Sequence, residues 1–187
     1  MAGIIFLHGA SSSGKSTLAR ALQARIDQPF WHYSIDHLRD SGVLPMARFK
    51  GGDFAWAESR AAFFDGFHHS VAAFADAGNN IILEHILEAP GWIDVLRRLL
   101  APHRVLFVGL HTSLSALTQR EQLRGDRPVG SAEADFQAIH KGLSYDLEVD
   151  AERDPESNAE LVRIAWATHF VPSKFFALSM PAPASAE

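Results

Sequence analysis

Gly9-Ala10-Ser11-Ser12-Ser13-Gly14-Lys15-Ser16 matches G-x-x-x-x-G-K-[ST] and stands between an apolar run and an amphipathic one. Upstream, Ile4-Ile5-Phe6-Leu7 is a continuous β-rich run that suits a strand buried on both faces of a parallel sheet. Downstream, Leu18, Ala19, Leu22 and Ile26 recur at helical spacing over 16–26, so the opening reads strand, loop, helix. In that setting small residues let consecutive backbone N–H groups close around a phosphate, and the helix adds the positive end of its dipole. Gly9, Ala10, Ser11, Ser12, Ser13 and Gly14 are therefore expected to cradle a nucleotide, with Lys15 reaching its β- and γ-phosphates. Ser16 is the expected Mg²⁺ ligand, and Thr17 the next contact on the α-phosphate side.

Outward from this loop, strands and helices alternate. A second strand is expected over 30–35, ending at Asp36, and 40–53 reads as loop or broken helix because of Gly42, Pro45, Gly51 and Gly52. Phe63, Phe67, Val71 and Phe74 mark an amphipathic helix over 56–77 that Gly78 and Asn79 end. Strands follow at 80–84, 104–110 and 145–149, and helices at 91–100, 113–123, 132–141 and 157–170. Such alternation calls for an α/β fold of three layers, a five-stranded parallel sheet with helices on both faces joined by right-handed crossovers. A single domain is expected over 1–178, and the Pro-, Ala- and Ser-rich stretch 179–187 is expected to be a disordered tail.

The length of 187 residues fits one domain that buries about 70% of its chain surface, with no need of a disulfide or structural metal. There is no cysteine, which excludes disulfides, thiolate nucleophiles and Cys-ligated metals and makes the cytoplasm the default expectation. The formal charge of -5 argues against non-specific nucleic-acid binding. No apolar run approaches the roughly 18 residues of a membrane helix, and the N-terminus lacks the basic region of a signal peptide. A soluble protein with a small-molecule partner is expected, and oligomeric state has no signature in the sequence.

The chemistry beyond nucleotide binding needs further groups. Asp36 falls where the carboxyl ends of parallel strands form a crevice, so it can accept a hydrogen bond from a substrate hydroxyl and aim it at phosphorus. The alternative is a carboxylate that only caps the helix beginning near His37. Arg120, Arg124 and Arg127, on a segment hinged by Gly125 and Gly130, have the composition of a closing lid near 120–130 that neutralises phosphate charge. A solvated turn in which Glu121 and Asp126 pair with these arginines is the competing reading. Glu84 ends the third strand, where it could support Mg²⁺ through water, contact substrate or be a buried structural carboxylate, and His85 follows it. Phe54, Trp56 and Phe64 are the aromatic residues available for a substrate wall, with Phe63 and Phe67 assigned to the core by their spacing. His68 and His69 are adjacent on a helix and point different ways, which does not suit a zinc site.

The chain resembles the chloramphenicol phosphotransferase family from about Ile4 to Pro172. The resemblance is carried by the Gly9–Ser16 motif, Asp36, Arg124-Gly-Asp-Arg127 with Val129-Gly130, Tyr145-Asp-Leu-Glu-Val-Asp150 and Ala165-Trp166-Ala167. It implies a P-loop kinase that transfers the γ-phosphate of ATP, with Mg²⁺, to a hydroxyl of a small-molecule alcohol such as an antibiotic, and it makes Asp36 the catalytic base beside Lys15. Two stretches depart from the family pattern: Glu84-His85 stands where an acidic pair is expected, and 39–56, which should help form the acceptor pocket, is dissimilar. Family similarity does not fix a substrate. A metabolite or nucleoside kinase of the same build and a nucleotide-dependent switch are the other readings. The chain has no Asn-Lys-x-Asp or Asp-x-x-Gly element of a switch.

Overall fold

The computed structural model describes residues 1–124, 131–168 and 172–177. Its five strands are β1 (Gly3–Gly9), β2 (Phe30–Ser34), β3 (Asn80–Glu84), β4 (Arg104–His111) and β5 (Leu147–Asp150). They form one sheet in the order β2-β3-β1-β4-β5, and every adjacent pair is parallel. Successive side chains on a strand point to opposite faces, and both faces here are apolar. Ile4 and Phe6 of β1 pack with Ile81 and Leu83 of β3 and Val105 and Phe107 of β4 on one side. Ile5, Leu7, Ile82, Leu106 and Val108 make the other.

Two pairs of helices cover these faces. Helices α4 (Trp56–Asp76) and α5 (Trp92–Leu100) supply Phe67, Val71, Leu96 and Leu100 to the first face. Helices α1 (Lys15–Gln23) and α8 (Pro155–Thr168) supply Leu18, Leu22, Val162 and Trp166 to the second. The remaining helices border the carboxyl edge of the sheet: α2 (Ile35–Asp40), α3 (Met46–Lys50), α6 (Leu114–Arg124) and α7 (Ser131–Ala138). A short 3₁₀ turn at Lys174–Phe176, which the sequence did not suggest, inserts Phe175 into the first core. Among the described residues no helix is long and apolar enough to cross a membrane.

The end of the second strand differs from the expected one. The second strand stops at Ser34 because that residue caps α2, its Oγ accepting a hydrogen bond from the backbone N–H of Asp36 at 3.2 Å. Asp36 thus lies in the first turn of a helix and neither ends a strand nor caps. Inside 40–53, read as loop or broken helix, a five-residue helix, α3, forms between Pro45 and Gly51. The part of the expected lid at 125–130 and the expected tail at 179–187 lie outside the described residues.

A tight joint holds the sheet beneath the site. The Tyr145 ring lies against β4 where Gly109 has no side chain, and a Cβ there would come within 2.7 Å of the ring. The Tyr145 hydroxyl bridges His8 Nδ1 at 2.9 Å and His140 Nδ1 at 2.7 Å. His8 Nε2 accepts the Leu87 N–H at 3.1 Å, so its hydrogen is on Nδ1 and runs from His8 to Tyr145 to His140. Gly109→Ala is expected to lower unfolding free energy by about 1–3 kcal/mol, read from urea denaturation, because the ring has no space to withdraw into.

Candidate functional site

The loop between β1 and α1 has the geometry its composition predicts. Gly14 adopts φ 98°, a left-handed conformation that favours glycine, and serves as the N-cap of α1. A Cβ on Gly9 would meet Leu110 O at 2.7 Å, so only glycine fits where β1 turns into the loop. Ser12 holds φ 62°, a sparsely populated conformation for a residue with a side chain, of the kind that concentrates at ligand-binding loops. The loop is braced from outside: Ser11 N–H donates to Asp135 Oδ2 of α7 at 2.8 Å, and Ala10 packs with Leu117 and Ile139. Lys15 folds over the loop, its Nζ donating to Gly9 O at 2.9 Å and Ala10 O at 2.7 Å.

Glu84 ends β3, the strand adjacent to β1, so its carboxylate reaches the helix start. Ser16 Oγ donates to Glu84 Oε1 at 2.9 Å, and His32 Nε2 stands 2.8 Å from Oε2. Burial pushes the Glu84 carboxyl up, but the His32 hydrogen bond, the Lys15 charge and the Ser16 hydrogen bond outweigh it and hold the pKa below its ordinary value. The folded state therefore gains stability from this group above pH 4.5, and loses it as pH falls through the depressed folded value. Glu84→Gln is expected to flatten the acid limb of a stability–pH curve below about pH 4.5, measured by thermal unfolding.

Three cavities meet around these groups. The middle one, about 130 Å³, brings together Lys15, Asp36, Arg39, Glu84 and His85. Asp36 Oδ1 pairs with Arg39 Nη1 at 3.1 Å, one helical turn on. On one side lies a cavity of about 500 Å³ that shares Ser12, Lys15 and Glu84 with the middle one and extends past Thr17 and Arg120 to Arg153 and Pro155. Arg120 Nη1 donates to Ser12 O at 3.4 Å and Ser13 O at 3.3 Å, which fixes it over the loop. On the other side a cavity of about 420 Å³ shares Asp36, Arg39 and Phe64 and is walled by Phe49, Trp56 and Phe63.

Of the sequence-derived set, Ser11, Ser12, Gly14, Lys15, Ser16, Thr17, Asp36, Trp56, Glu84, His85 and Arg120 line these cavities. Gly9, Ala10, Ser13 and Phe54 do not; Phe54 packs edge-on against Phe49 beneath the Arg48 guanidinium. Phe63, assigned to the core by its spacing, lines the aromatic cavity instead, because the first half of α4 overhangs the sheet. Arg124 closes α6 with its side chain outside the described residues, and Arg127 lies outside them altogether. The sequence reading missed Arg39 and Arg60; Arg39 could have been found, being three residues after Asp36 on the same helix.

His85 is buried against His68, Nε2 to Nε2 at 3.0 Å, and its Nδ1 is buried with no partner in the structure. Burial foremost, with the His68 and Lys15 charges, pushes the His85 pKa well below its ordinary value, and burial pushes His68 down to about 4. The pair is neutral at physiological pH. No group of three or more His, Asp or Glu side chains that could hold a metal occurs among the described residues.

Fold and loop together define the P-loop kinase fold. The family "Chloramphenicol phosphotransferase-like protein" matches residues 2–167, and the chain belongs to that family, a phosphotransferase acting on a small-molecule hydroxyl. A Mycobacterium tuberculosis H37Rv protein with a provisional O-phosphotransferase name is 28% identical over 173 residues, covering 81% of this chain and 76% of that one. Among solved structures, the Mycobacterium tuberculosis APS kinase CysC in complex with AMPPNP and APS is similar with a TM-score of 0.63 at 18% identity, covering 89% of this chain and 98% of that one. A gluconokinase from Sinorhizobium meliloti 1021 gives a TM-score of 0.61 at 19% identity, covering 88% and 91%. At these identities the structures speak for the fold.

Proposed function

We propose that the protein transfers the γ-phosphate of ATP to an alcohol acceptor, with chloramphenicol or a related antibiotic as the first acceptor to test and Asp36 as the base. The observation that carries this reading is the continuity of the three cavities: Lys15 and Glu84 belong to both the loop-side cavity and the middle one, and Asp36 to both the middle and the aromatic one. A donor held by the loop and an acceptor held among aromatic rings would meet at Asp36. The acceptor oxygen attacks the γ-phosphorus, the bond from that phosphorus to the β–γ bridging oxygen breaks, ADP leaves, and the hydroxyl proton passes to Asp36. A carboxylate is a weak base for a free alcohol, so the proton moves late and orientation supplies most of the benefit. Lys15 and Arg120 offset charge on the transferring group, and Arg124 and Arg127 are proposed to complete that set.

Mg²⁺ with the nucleotide fits the residues present. Ser16 Oγ and the Glu84 carboxylate are hard oxygen donors side by side, and Mg²⁺ in such sites takes one or two protein oxygens, phosphates and waters. When bound, it would neutralise phosphate charge. The buried, unpartnered Nδ1 of His85 supports a polar contact to the acceptor from the middle cavity. Arg39, Lys50 and Arg60 outnumber Asp36 and Glu88 around the aromatic cavity, and this surplus of positive charge favours a second reading, a kinase for a metabolite bearing negative charge. The test is incubation with Mg-ATP and chloramphenicol, reading the intact mass of the antibiotic. A gain of one phosphate with the unsubstituted protein and none with Lys15→Ala is the expected result. Binding of ATP without any gain would move the acceptor to phosphorylated or carboxylated alcohols.

A further inference from the structure

Asn158 lies in the first turns of α8 and is 3% exposed, yet it lines the loop-side cavity with Arg120, Arg153 and Pro155. Its Nδ2 donates to the backbone carbonyl of Asp150 at 2.8 Å. A carbonyl can only accept, so the orientation of the side-chain amide is fixed: the NH₂ faces Asp150 and the oxygen faces away from it. That oxygen, Oδ1, is buried with no hydrogen-bond partner in the structure. A buried acceptor left unsatisfied is costly, and in a cavity its natural partner is a donor on the ligand.

The cavity is polar at the loop end, where backbone N–H groups and Lys15 suit phosphates, and Asn158 lies toward the other end with Ala151 and Pro155. A nucleotide with its phosphates on the loop directs its base toward that end. We infer that Asn158 Oδ1 accepts a hydrogen bond from the exocyclic 6-amino group of adenine and so selects ATP over 6-oxopurine nucleotides. The inference rests on the proposed use of ATP and adds the residue that reads its base and the physical reason. A 6-oxo group would turn its lone pairs toward those of Oδ1, leaving both acceptors unpaired, whereas the amino group satisfies Asn158 without disturbing its bond to Asp150.

Equilibrium binding of ATP, purine riboside triphosphate and ITP, each with Mg²⁺, tests this on the full chain. Purine riboside triphosphate carries hydrogen at C6 and reports loss of the donor; ITP reports the clash of acceptors. ATP is expected to bind about tenfold tighter than either. In Asn158→Leu the ATP affinity is expected to fall about tenfold with that of purine riboside triphosphate unchanged, so that discrimination disappears. A purely structural role would weaken all three alike and leave their ratios intact, which would overturn the inference. Equal binding of the three to the unsubstituted protein would overturn it as well, with no variant needed. If the unsubstituted protein bound none of them, the proposed kinase function would fail first, an outcome distinct from binding without discrimination.

Discussion

Asp36→Asn is expected to bind Mg-ATP as tightly as the unsubstituted protein and to lose phosphoryl transfer by about 10²–10⁴-fold. The substitution keeps the shape of the side chain and removes its charge. The cap of α2 is unaffected, since it runs from the backbone N–H of Asp36 to Ser34 Oγ. The pair with Arg39 is partly exposed and its loss costs about 0–1 kcal/mol of stability, too little to unfold the domain. Asp36 is absent from the lining of the loop-side cavity, so nucleotide affinity should not depend on it. Single-turnover transfer to the identified acceptor, beside titration calorimetry with ATP, separates the two effects. Transfer at the unsubstituted rate would remove Asp36 from the base role.

Lys15→Ala is expected to reduce ATP-dependent turnover about a thousandfold and to weaken nucleotide binding. The ammonium is buried and already held by two carbonyls of the loop it serves, Gly9 O and Ala10 O, so its position is set before a ligand arrives. Alanine cannot offset charge on the β- and γ-phosphates. It also removes one of the influences that hold the Glu84 carboxyl down, so the Glu84 pKa should move upward. The fold should survive, because Lys15 contributes to neither apolar face of the sheet and alanine has high helix propensity. Turnover and calorimetric binding provide the check; turnover within tenfold of the unsubstituted protein would contradict the assignment.

Local chemistry made the loop legible. Gly9 and Gly14 are demanded by a close approach and a left-handed turn, and the flanking residues carry strand and helix periods that no other reading satisfies. Glu84 was legible for a similar reason: it is the polar residue that stops a buried apolar run, and in a parallel sheet such residues collect at one edge. Asp36 was legible only in part. Its place near the crevice followed from the chain, but Ser34 decided that the strand would stop one residue early and hand Asp36 to a helix. Phe63 shows where periodicity misleads. The spacing of Phe63, Phe67 and Val71 is uniform along α4, yet the helix is longer than the sheet it covers, so Phe67 and Val71 meet the core and Phe63 meets a cavity.

The amino-acid sequence by itself determined a parallel α/β sheet, the phosphate-cradling loop and the carboxylates at its edge, because each depends on residues within a few positions of one another. Tertiary structure alone decided that the cavities join through Lys15, Glu84 and Asp36, that Arg39 and Phe63 line the aromatic cavity, and that Asn158, in the lining of the loop-side cavity, keeps a buried oxygen unpaired. These depend on which groups meet across tens of residues of chain or more, and on which hydrogen bonds burial leaves unmade. Periodicity carries no record of either.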